Sequence, residues 1–427
     1  MTDPALVIKG GRLVDHTGVR SGDVVVGDDG SILAVGPDLD APRVLDAGGC
    51  VVSPGFVDLH THLREPGREE AETIETGARA AAAGGYTCIL AMPNTTPAID
   101  SAAAAREVLE LGRAAPCDVR TSGAITVGRA GEQLTPMAEL AALGVRFFTD
   151  DGNGVQDTRL MRRAMEYASA LDVVLAQHCE DEAMAAGGHM HEGEWSSRLG
   201  IPGQPAEAEE LMVVRDIALA RLTGARVHFQ HLSTDGSIAM VRAAKAGGMA
   251  VSCEATTHHF TLTDDSCSSY DPVFKVNPPL RTANDVAAVK AGLADGTIDC
   301  IATDHAPHPP DTKEAPFDEA PPGMLGLETA LALALTELEV EVEQVVALLS
   351  WRPAQLLGVS DRHGGPILDG RRANLCVFDP DEEWIVDPAA MHSRSRNTPY
   401  AGRRVRGRVR HTLLEGEPVF LDGEATR

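Results

Sequence analysis

The sequence is poor in positive charge, has no paired cysteines and contains no long hydrophobic segment. It holds 37 lysines and arginines against 63 aspartates and glutamates, and its formal net charge of −26 argues against nucleic acid or an anionic membrane as partner. The eight cysteines are scattered without a CxxC pair, which is typical of reduced thiols in a cytosol. No apolar run approaches the ~20 residues of a membrane span, and the N-terminus lacks the pattern of a signal peptide. We therefore expect a soluble, cytoplasmic protein with no nucleic-acid or membrane partner.

Helical segments and strands alternate over most of the chain. Its 427 residues exceed one ordinary domain but suit a barrel of typically ~250 residues with an addition. Short strands and turns fill both chain ends, whereas the middle contains eight nearly continuous apolar strands, the later ones each preceded by a helical segment. Eight such units favour a closed barrel over an open sheet. We therefore predict an α/β protein built on a (β/α)₈ TIM barrel.

Two histidines, His60 and His62, end the first strand of this region, in the stretch GFVDLHTHLREPG. Residues two apart in a strand project to the same face, so the two imidazole rings lie side by side. Neutral imidazole is a common metal ligand, but two rings meeting solvent at a strand end would give the same pattern. The pair alone leaves both interpretations open.

Other strands of the middle region also end in residues that can bind a metal or a polar ligand. The carboxyl ends of all eight barrel strands gather at one mouth, where active sites lie. A lone histidine there is usually a hydrogen-bonded rim residue, and a lone aspartate usually caps the next helix. Several strands supplying both residue types to one mouth favour a metal site. The strand-end residues are His60, His62, Asn94, Asp150, Asp151, His178, His231, His258, His259, Asp304 and His305.

Arg64 and a long loop are the remaining features near this mouth. Arg64 follows His62 by two residues, and arginine suits a bidentate grip on a carboxylate. A surface salt bridge to Glu65 or Glu69 is the alternative, which we consider weaker beside a metal pair. The stretch HPPDTKEAPFDEAPPG, residues 308–323, has neither helical nor strand period, and loops of this length are usually functional or mobile.

The motifs HTHLREPG, MPNT, FTDDG, HCED, HLST, NPPLR and ATDHAPH occur in this order from His60 to about Gly326. Together they resemble the amidohydrolase superfamily and, within it, the class I bacterial dihydroorotases. The resemblance implies a barrel of residues 53–365 and a small β-sandwich domain that both chain ends build, residues 1–52 and 366–427. It also implies reversible, zinc-dependent hydrolysis of (S)-dihydroorotate to N-carbamoyl-L-aspartate in de novo pyrimidine (UMP) biosynthesis.

The resemblance implies two zinc ions per subunit, bridged by a residue of the fourth strand. Many relatives bridge their metals with a carboxylated lysine, which VRFFTDDG lacks, so a plain carboxylate must serve here. Spacing does not separate the neighbours Asp150 and Asp151; the resemblance assigns the bridge to Asp151 and leaves Asp150 to orient or cap the loop. The implied ligands are His60, His62 and Asp304 for one zinc, His178 and His231 for the second, and Asp151 for both.

Substrate contacts and a proton carrier are also implied by the resemblance. Asp304 is expected to accept the proton of the attacking water and to deliver it to the leaving ring nitrogen. Pro322 has no N–H, so of the two backbone contacts in the 308–323 loop we expect the one at Gly323 to persist. The implied substrate-binding residues are His62, Arg64, Asn94, Asn277, His308, Pro322 and Gly323.

Two other functions stay open at this point. Another cyclic amidohydrolase, a dihydropyrimidinase or an allantoinase, would share the fold, although the missing bridging lysine and the HLREPG run speak against it. A non-catalytic dihydroorotase-like scaffold subunit would have lost metal ligands, whereas all six positions are filled here. The resemblance also allows a homodimer and an association with aspartate transcarbamoylase, and fold alone decides none of these.

Overall fold

A computed structural model describes residues 2–426 of the chain. The N-terminal segment contributes five strands: β1 (Pro4–Asp15), β2 (Gly18–Gly27), β3 (Ile32–Gly36), β4 (Arg43–Asp46) and β5 (Val51–Pro54). The C-terminal segment contributes four more, which are numbered after those of the middle region: β16 (Leu375–Ile385), β17 (Arg404–Leu414), β18 (Glu417–Leu421) and β19 (Glu424–Ala425).

The middle region alternates between strands and helices. Its elements are β6 (Phe56–Thr61), α1 (Ile74–Ala83), β7 (Tyr86–Ala91), α2 (Ala102–Leu111), β8 (Asp118–Thr121), α3 (Met137–Ala141), β9 (Phe147–Phe148), α4 (Thr158–Leu171), β10 (Val174–Gln177), α5 (Glu182–Ala185), β11 (Met190–His191), α6 (Glu194–Leu199), β12 (Gly203–Gln204), α7 (Glu207–Thr223), β13 (Arg226–Phe229), α8 (Asp235–Ala246), β14 (Val251–Thr256), α9 (Thr257–Thr261), α10 (Ala283–Asp295), β15 (Cys300–Ala302), α11 (Pro310–Lys313), α12 (Ala330–Glu337), α13 (Val342–Leu349) and α14 (Trp351–Leu357). None of the helices within residues 2–426 combines the length and the hydropathy that a membrane crossing requires.

Eight parallel strands of the middle region follow one another in a closed order, which we call the ring. β6, β7 and β8 form one parallel sheet, and β9, β10, β13, β14 and β15 form another. A parallel bridge between Gly123 and Phe148 joins the two sheets on one side, and a bridge between Thr61 and His305 joins them on the other. The carboxyl ends of all eight strands therefore lie at the same end of the ring.

Both faces of the ring strands are buried, as their continuous apolar runs predict. Alternate residues of one strand belong to different buried clusters, because successive side chains point to opposite faces. In β7, Ile89 clusters with helical residues such as Ala78 and Val108, whereas Leu90 clusters with Phe147 of β9. Apolar packing therefore stabilises both faces of the ring strands. The residues at the carboxyl ends of these strands, in contrast, are polar.

The strands from the two chain ends form one sheet. β5 brings the ends together, because it pairs in parallel with β1 and antiparallel with β16. The order is β19-β18-β17-β16-β5-β1-β2-β3, with β4 beside β1. These hydrogen bonds join all nine strands, from both chain ends, into a single continuous sheet. The two-layer packing of a β-sandwich, which the resemblance implies, stays a prediction.

Candidate active site

The strand carboxyl ends of the ring surround a cleft of about 230 Å³. Eleven of the twelve predicted site residues line it, and the remaining one, His60, is fully buried directly behind them. The eleven are His62, Arg64, Asn94, Asp151, His178, His231, Asn277, Asp304, His308, Pro322 and Gly323.

A first cluster of metal-binding groups lies where β6 and β15 end. His60 Nε2 lies 3.2 Å from Asp151 Oδ1 and 3.5 Å from Asp304 Oδ1. His62 Nε2 lies 2.9 Å from the same Asp304 oxygen and 3.6 Å from Asp151 Oδ2. The two imidazoles on one strand face, predicted from their spacing, thus meet two carboxylates from other strands.

A second cluster lies beside the first and shares one carboxylate with it. His178 Nδ1 and His231 Nε2 are 2.9 Å apart, and they lie 3.7 Å and 3.9 Å from Asp151 Oδ1. The shared carboxylate oxygen therefore faces both pairs of histidines. Each cluster brings at least three metal-binding side chains together within the reach of one ion.

The chemistry of these groups fits divalent metal ions. His60 Nε2 is buried and has no hydrogen-bond partner among the described residues, which is costly unless something else binds it. Burial alone would raise the pKa of Asp151, but charge on His60 and a hydrogen bond with His178 hold that pKa well below its usual range. Burial and the neighbouring histidines hold the pKa of His231 well below its usual value, so this ring is neutral, as a metal ligand must be.

Three residues at the cleft have unusual backbone conformations. Arg64, His231 and Asp304 have φ angles of 63°, 33° and 45°, in the left-handed region that side chains other than glycine rarely adopt. Such strain costs of order 1–3 kcal/mol per residue and concentrates at functional sites. The strain at these strand ends points to function at the same place that the ligand geometry does.

Asp150, the neighbour of Asp151, points elsewhere. Its Oδ1 accepts hydrogen bonds from the backbone N–H groups of Ile125 (2.8 Å) and Thr126 (3.0 Å), and its Oδ2 accepts one from the hydroxyl of Thr126. Asp150 therefore holds the loop that follows β8, while the adjacent carboxylate enters the cleft.

The other strand-end histidines support loops rather than the clusters. His259 hydrogen-bonds with the hydroxyl of Thr256 at 2.7 Å and donates to the carbonyl of Pro278 at 3.0 Å. His258 packs on His259, with their ring centroids 4.5 Å apart. His305 lies 3.3 Å from the carboxylate of a buried glutamate. His259 and His305 therefore match the ordinary interpretation of a hydrogen-bonded histidine at a strand end, whereas His258 Nε2 is buried without a hydrogen-bond partner among residues 2–426.

Arg64 is the buried cation of the cleft. It is only 7% exposed, its Nε donates to the carbonyl of Pro307 at 3.2 Å, and burial, reinforced by a neighbouring arginine, lowers its pKa to about 10. The predicted alternative, a salt bridge to Glu65 or Glu69, does not form, because both carboxylates bond backbone N–H groups nearby. No carboxylate within residues 2–426 lies within 4.0 Å of the guanidinium. Arg64 is therefore charged at neutral pH and available to an anionic ligand.

Asn94 has contacts that its sequence position did not predict. Its Oδ1 lies 2.9 Å from His62 Nδ1, and its Nδ2 donates to Asp151 Oδ2 at 3.2 Å. As an acceptor for the Nδ1–H of His62, the amide leaves Nε2 of that ring free to face the carboxylates. Asn94 both lines the cleft and orients two of the predicted ligands.

The 308–323 loop is tied to residues 272–275 by the half-buried ammonium of Lys313. Lys313 Nζ donates to the carbonyls of Pro321 (2.8 Å), Pro272 (3.0 Å) and Lys275 (3.4 Å). Gly323 N–H donates to the same Lys275 carbonyl at 2.9 Å, so the N–H expected to contact substrate is bonded within the protein here. The loop, predicted to lack regular structure, contains the single helical turn α11, which begins with a proline. No sequence signal identified Lys313.

Comparison with known proteins gives one consistent family. A family model described as "Dihydro-orotase-like" matches residues 49–237. The chain is 47% identical to the dihydroorotase of Pelotomaculum thermopropionicum over 98% of this chain and 99% of that protein. It is 46% identical to the dihydroorotase of Streptomyces coelicolor over 98% and 99%.

Solved structures with a similar fold include hydantoinases and dihydropyrimidinases. The L-hydantoinase (dihydropyrimidinase) of Arthrobacter aurescens superposes with a TM-score of 0.89 at 27% identity, covering 100% of this chain and 98% of that one. The dihydropyrimidinase of Brevibacillus agri superposes with a TM-score of 0.86 at 23% identity, covering 100% and 96%, and at that identity supports the fold alone.

Proposed function

The chain belongs to the dihydroorotase family and is a cyclic amide hydrolase, and we propose that its cleft hydrolyses (S)-dihydroorotate reversibly to N-carbamoyl-L-aspartate. The observation that carries the choice of substrate is Arg64, a buried cation without a carboxylate partner within residues 2–426, next to two clusters of metal-binding groups. Dihydroorotate is a cyclic imide that bears a carboxylate, so one end suits the guanidinium and the other suits the metal clusters.

We infer that the ring is the (β/α)₈ TIM barrel of a class I dihydroorotase, spanning residues 53–365, with the remaining residues in the small β region. The closed order of hydrogen-bonded parallel strands supports this inference. The position of the cleft at the strand carboxyl ends agrees with it, because barrel enzymes place their active sites there.

We propose two zinc ions, one held by His60, His62 and Asp304 and the second by His178 and His231, with Asp151 bridging. Asp151 Oδ1, which lies 3.2 Å from His60 Nε2 and 3.7 Å from His178 Nδ1, supports the bridge. Bound zinc would supply a water of lowered pKa and a Lewis acid for the ring carbonyl.

The chain's own groups position the substrate and move its protons. Arg64 holds the substrate carboxylate, with Asn94 and Asn277 beside it in the cleft. Oδ1 of Asp304 lies 2.9 Å from His62 Nε2, whereas Oδ2 makes no hydrogen bond within residues 2–426. That oxygen can accept the proton of the attacking water and return it to the ring nitrogen, and the same path serves ring closure.

His308 lines the cleft as a neutral imidazole. Burial and the charge of Arg64 lower its pKa to about 2, so it does not take up a proton at working pH. Its Nε2–H donates to the carbonyl of Pro322 at 2.9 Å, which ties the two ends of the 308–323 loop together beside the guanidinium. His308 therefore shapes the site for the carboxylate and leaves proton transfer to Asp304.

A dihydropyrimidinase activity is the second candidate, because the structural neighbours include enzymes of that name. The neutral ring of dihydrouracil gives Arg64 nothing to bind. Comparing turnover of dihydroorotate and dihydrouracil by the same preparation tests the choice: preference for dihydrouracil would transfer the function to the second candidate.

We further propose that the enzyme acts in de novo pyrimidine biosynthesis in the cytoplasm. A homodimer and an association with aspartate transcarbamoylase stay predictions. Size-exclusion chromatography of the protein alone, and mixed with that enzyme, tests both.

A further inference from the structure

A carboxylate is buried inside the ring directly behind the metal clusters. Glu254, in β14, is 0% exposed, and its Oε1 lies 2.8 Å from His60 Nδ1. Its Oε2 lies 3.0 Å from His228 Nε2, and His228 Nδ1 lies 2.8 Å from the hydroxyl of Ser252. A charge buried this deeply is costly unless all its oxygens are bonded, and here each oxygen has a partner.

The contacts place a proton on Nδ1 of His60. The Glu254 carboxylate can only accept, so His60 donates through Nδ1–H, and Nε2 is the atom that a metal would bind. That Nε2 is the buried atom without a hydrogen-bond partner, 3.2 Å from Asp151. The amide nitrogen of Gln230 lies farther from the same Nδ1, at 3.3 Å, and the Gln230 oxygen accepts a hydrogen bond from the hydroxyl of Thr149 at 2.7 Å. The shorter contact with the carboxylate, 2.8 Å, therefore orients the ring with Nδ1 toward Glu254 and Nε2 toward the cleft.

The two clusters differ in the hydrogen bonds made by the imidazole nitrogens that face away from Asp151. In the first, His60 donates to a carboxylate and His62 Nδ1 lies 2.9 Å from Asn94 Oδ1. In the second, the outer nitrogens, His178 Nε2 and His231 Nδ1, are buried without a hydrogen-bond partner among residues 2–426. Partners of the non-ligating nitrogen orient an imidazole and raise its basicity toward a metal.

We propose that Glu254, held from behind by His228, is a positioning residue that makes the His60–His62–Asp304 position the tighter of two unequal metal sites. The proposal rests on the proposed metal centre and does not depend on the substrate. The carboxylate holds the proton on Nδ1 of His60, turns Nε2 toward the metal position and adds negative charge behind the ring, and His228 orients the carboxylate. A sequence signal for Glu254 exists, since it is the one charged residue in the apolar strand VSCEAT.

Metal titration of the metal-free protein tests the proposal. Zinc is added in competition with a chromophoric chelator, so that affinity and stoichiometry are measured without any turnover. We expect the wild type to bind in two steps of unequal affinity. Glu254→Gln keeps the size and the acceptor but removes the charge, and should weaken one step about 10- to 100-fold while leaving the other unchanged. Equal affinities in the wild type, or a Glu254→Gln curve identical to it, would overturn the proposal.

Background variants identify which position has weakened. In His178→Asn, which impairs the second position, Glu254→Gln should still weaken the remaining site. In His62→Asn, which impairs the first, it should have little effect on the remaining site. If Glu254→Gln weakened zinc binding in the His62→Asn background but not in the His178→Asn background, Glu254 would support the second metal position, and the proposal would be refuted.

A matched pair elsewhere controls for general destabilisation. Glu328 pairs with His392 at 2.9 Å, just before α12 and outside the lining of the cleft. Glu328→Gln should lower thermal stability but leave both zinc affinities unchanged. If Glu254→Gln does not fold, His228→Asn retains the carboxylate charge and should weaken the same step by a smaller factor; unchanged metal binding in that variant would also refute the proposal. A wild type that binds no metal would instead refute the proposed function.

Discussion

Replacing Arg64 by methionine should abolish most turnover of dihydroorotate while sparing the metal centre. The guanidinium is 7% exposed, stays charged at neutral pH with a pKa of about 10, and has no carboxylate within 4.0 Å in the described chain. A substrate carboxylate would be its first close counter-charge. Removing one partner of a buried charged pair costs about 2–5 kcal/mol, which converts to a fall in kcat/KM of roughly 30- to 5000-fold.

The assay compares kcat and KM for dihydroorotate in the wild type, Arg64→Met and two controls, with zinc content measured in every sample. Arg64→Lys keeps the charge but loses the two-pronged geometry, so its kcat/KM should fall between the other two. Arg68→Met removes a cleft cation that we do not assign to the carboxylate, and should have the smaller effect. Wild-type kcat/KM in zinc-loaded Arg64→Met would refute the reasoning and move the carboxylate site elsewhere.

Three further predictions follow from the described contacts. Asp304→Asn can still offer an oxygen to zinc but cannot carry a proton, so hydrolysis and ring closure should both fall by about 10²–10⁴-fold at equal zinc content; near-normal rates in both directions would assign the proton to another residue. Asp151→Asn should lose bound metal, measured by elemental analysis, whereas Asp150→Asn should keep it; the opposite pattern would exchange their roles. Burial and Lys275 lower the pKa of Lys313 to about 7. Between about pH 7 and pH 10, Lys313 is therefore mostly neutral in the folded chain but still protonated in the unfolded chain. Over that range the free energy of unfolding of the wild type should therefore rise relative to Lys313→Met, by less than ~1.4 kcal/mol per pH unit in denaturant titrations, and a falling difference would contradict the assignment.

The residues that meet at the cleft could be predicted largely because they lie at strand ends. The two-residue spacing of His60 and His62 and the apolar runs before His178 and His231 are local signals, and the ring then brings their side chains together. Even β9, which is only two residues long, follows from the apolar run before its aspartates. The strands and the residues at their carboxyl ends therefore depend on patterns within single segments of the sequence.

The parts that could not be predicted depend on contacts between distant segments. Glu254 meets His60 across 194 positions of the chain, and no local spacing indicates that pairing. Asp150 and Asp151 are neighbours of identical chemistry, and only the loop at Thr126 explains why one turns away. The expected backbone contact at Gly323 depends on where the loop packs, and it packs so that this N–H bonds to another segment.

The most direct test of the account is zinc content and substrate preference measured on one purified sample. The account predicts about two zinc ions per chain and hydrolysis of dihydroorotate that is lost after chelation and restored by added zinc. It also predicts little turnover of dihydrouracil, because that ring has no carboxylate for Arg64. Full activity in verified metal-free protein, or a preference for dihydrouracil, would contradict the account.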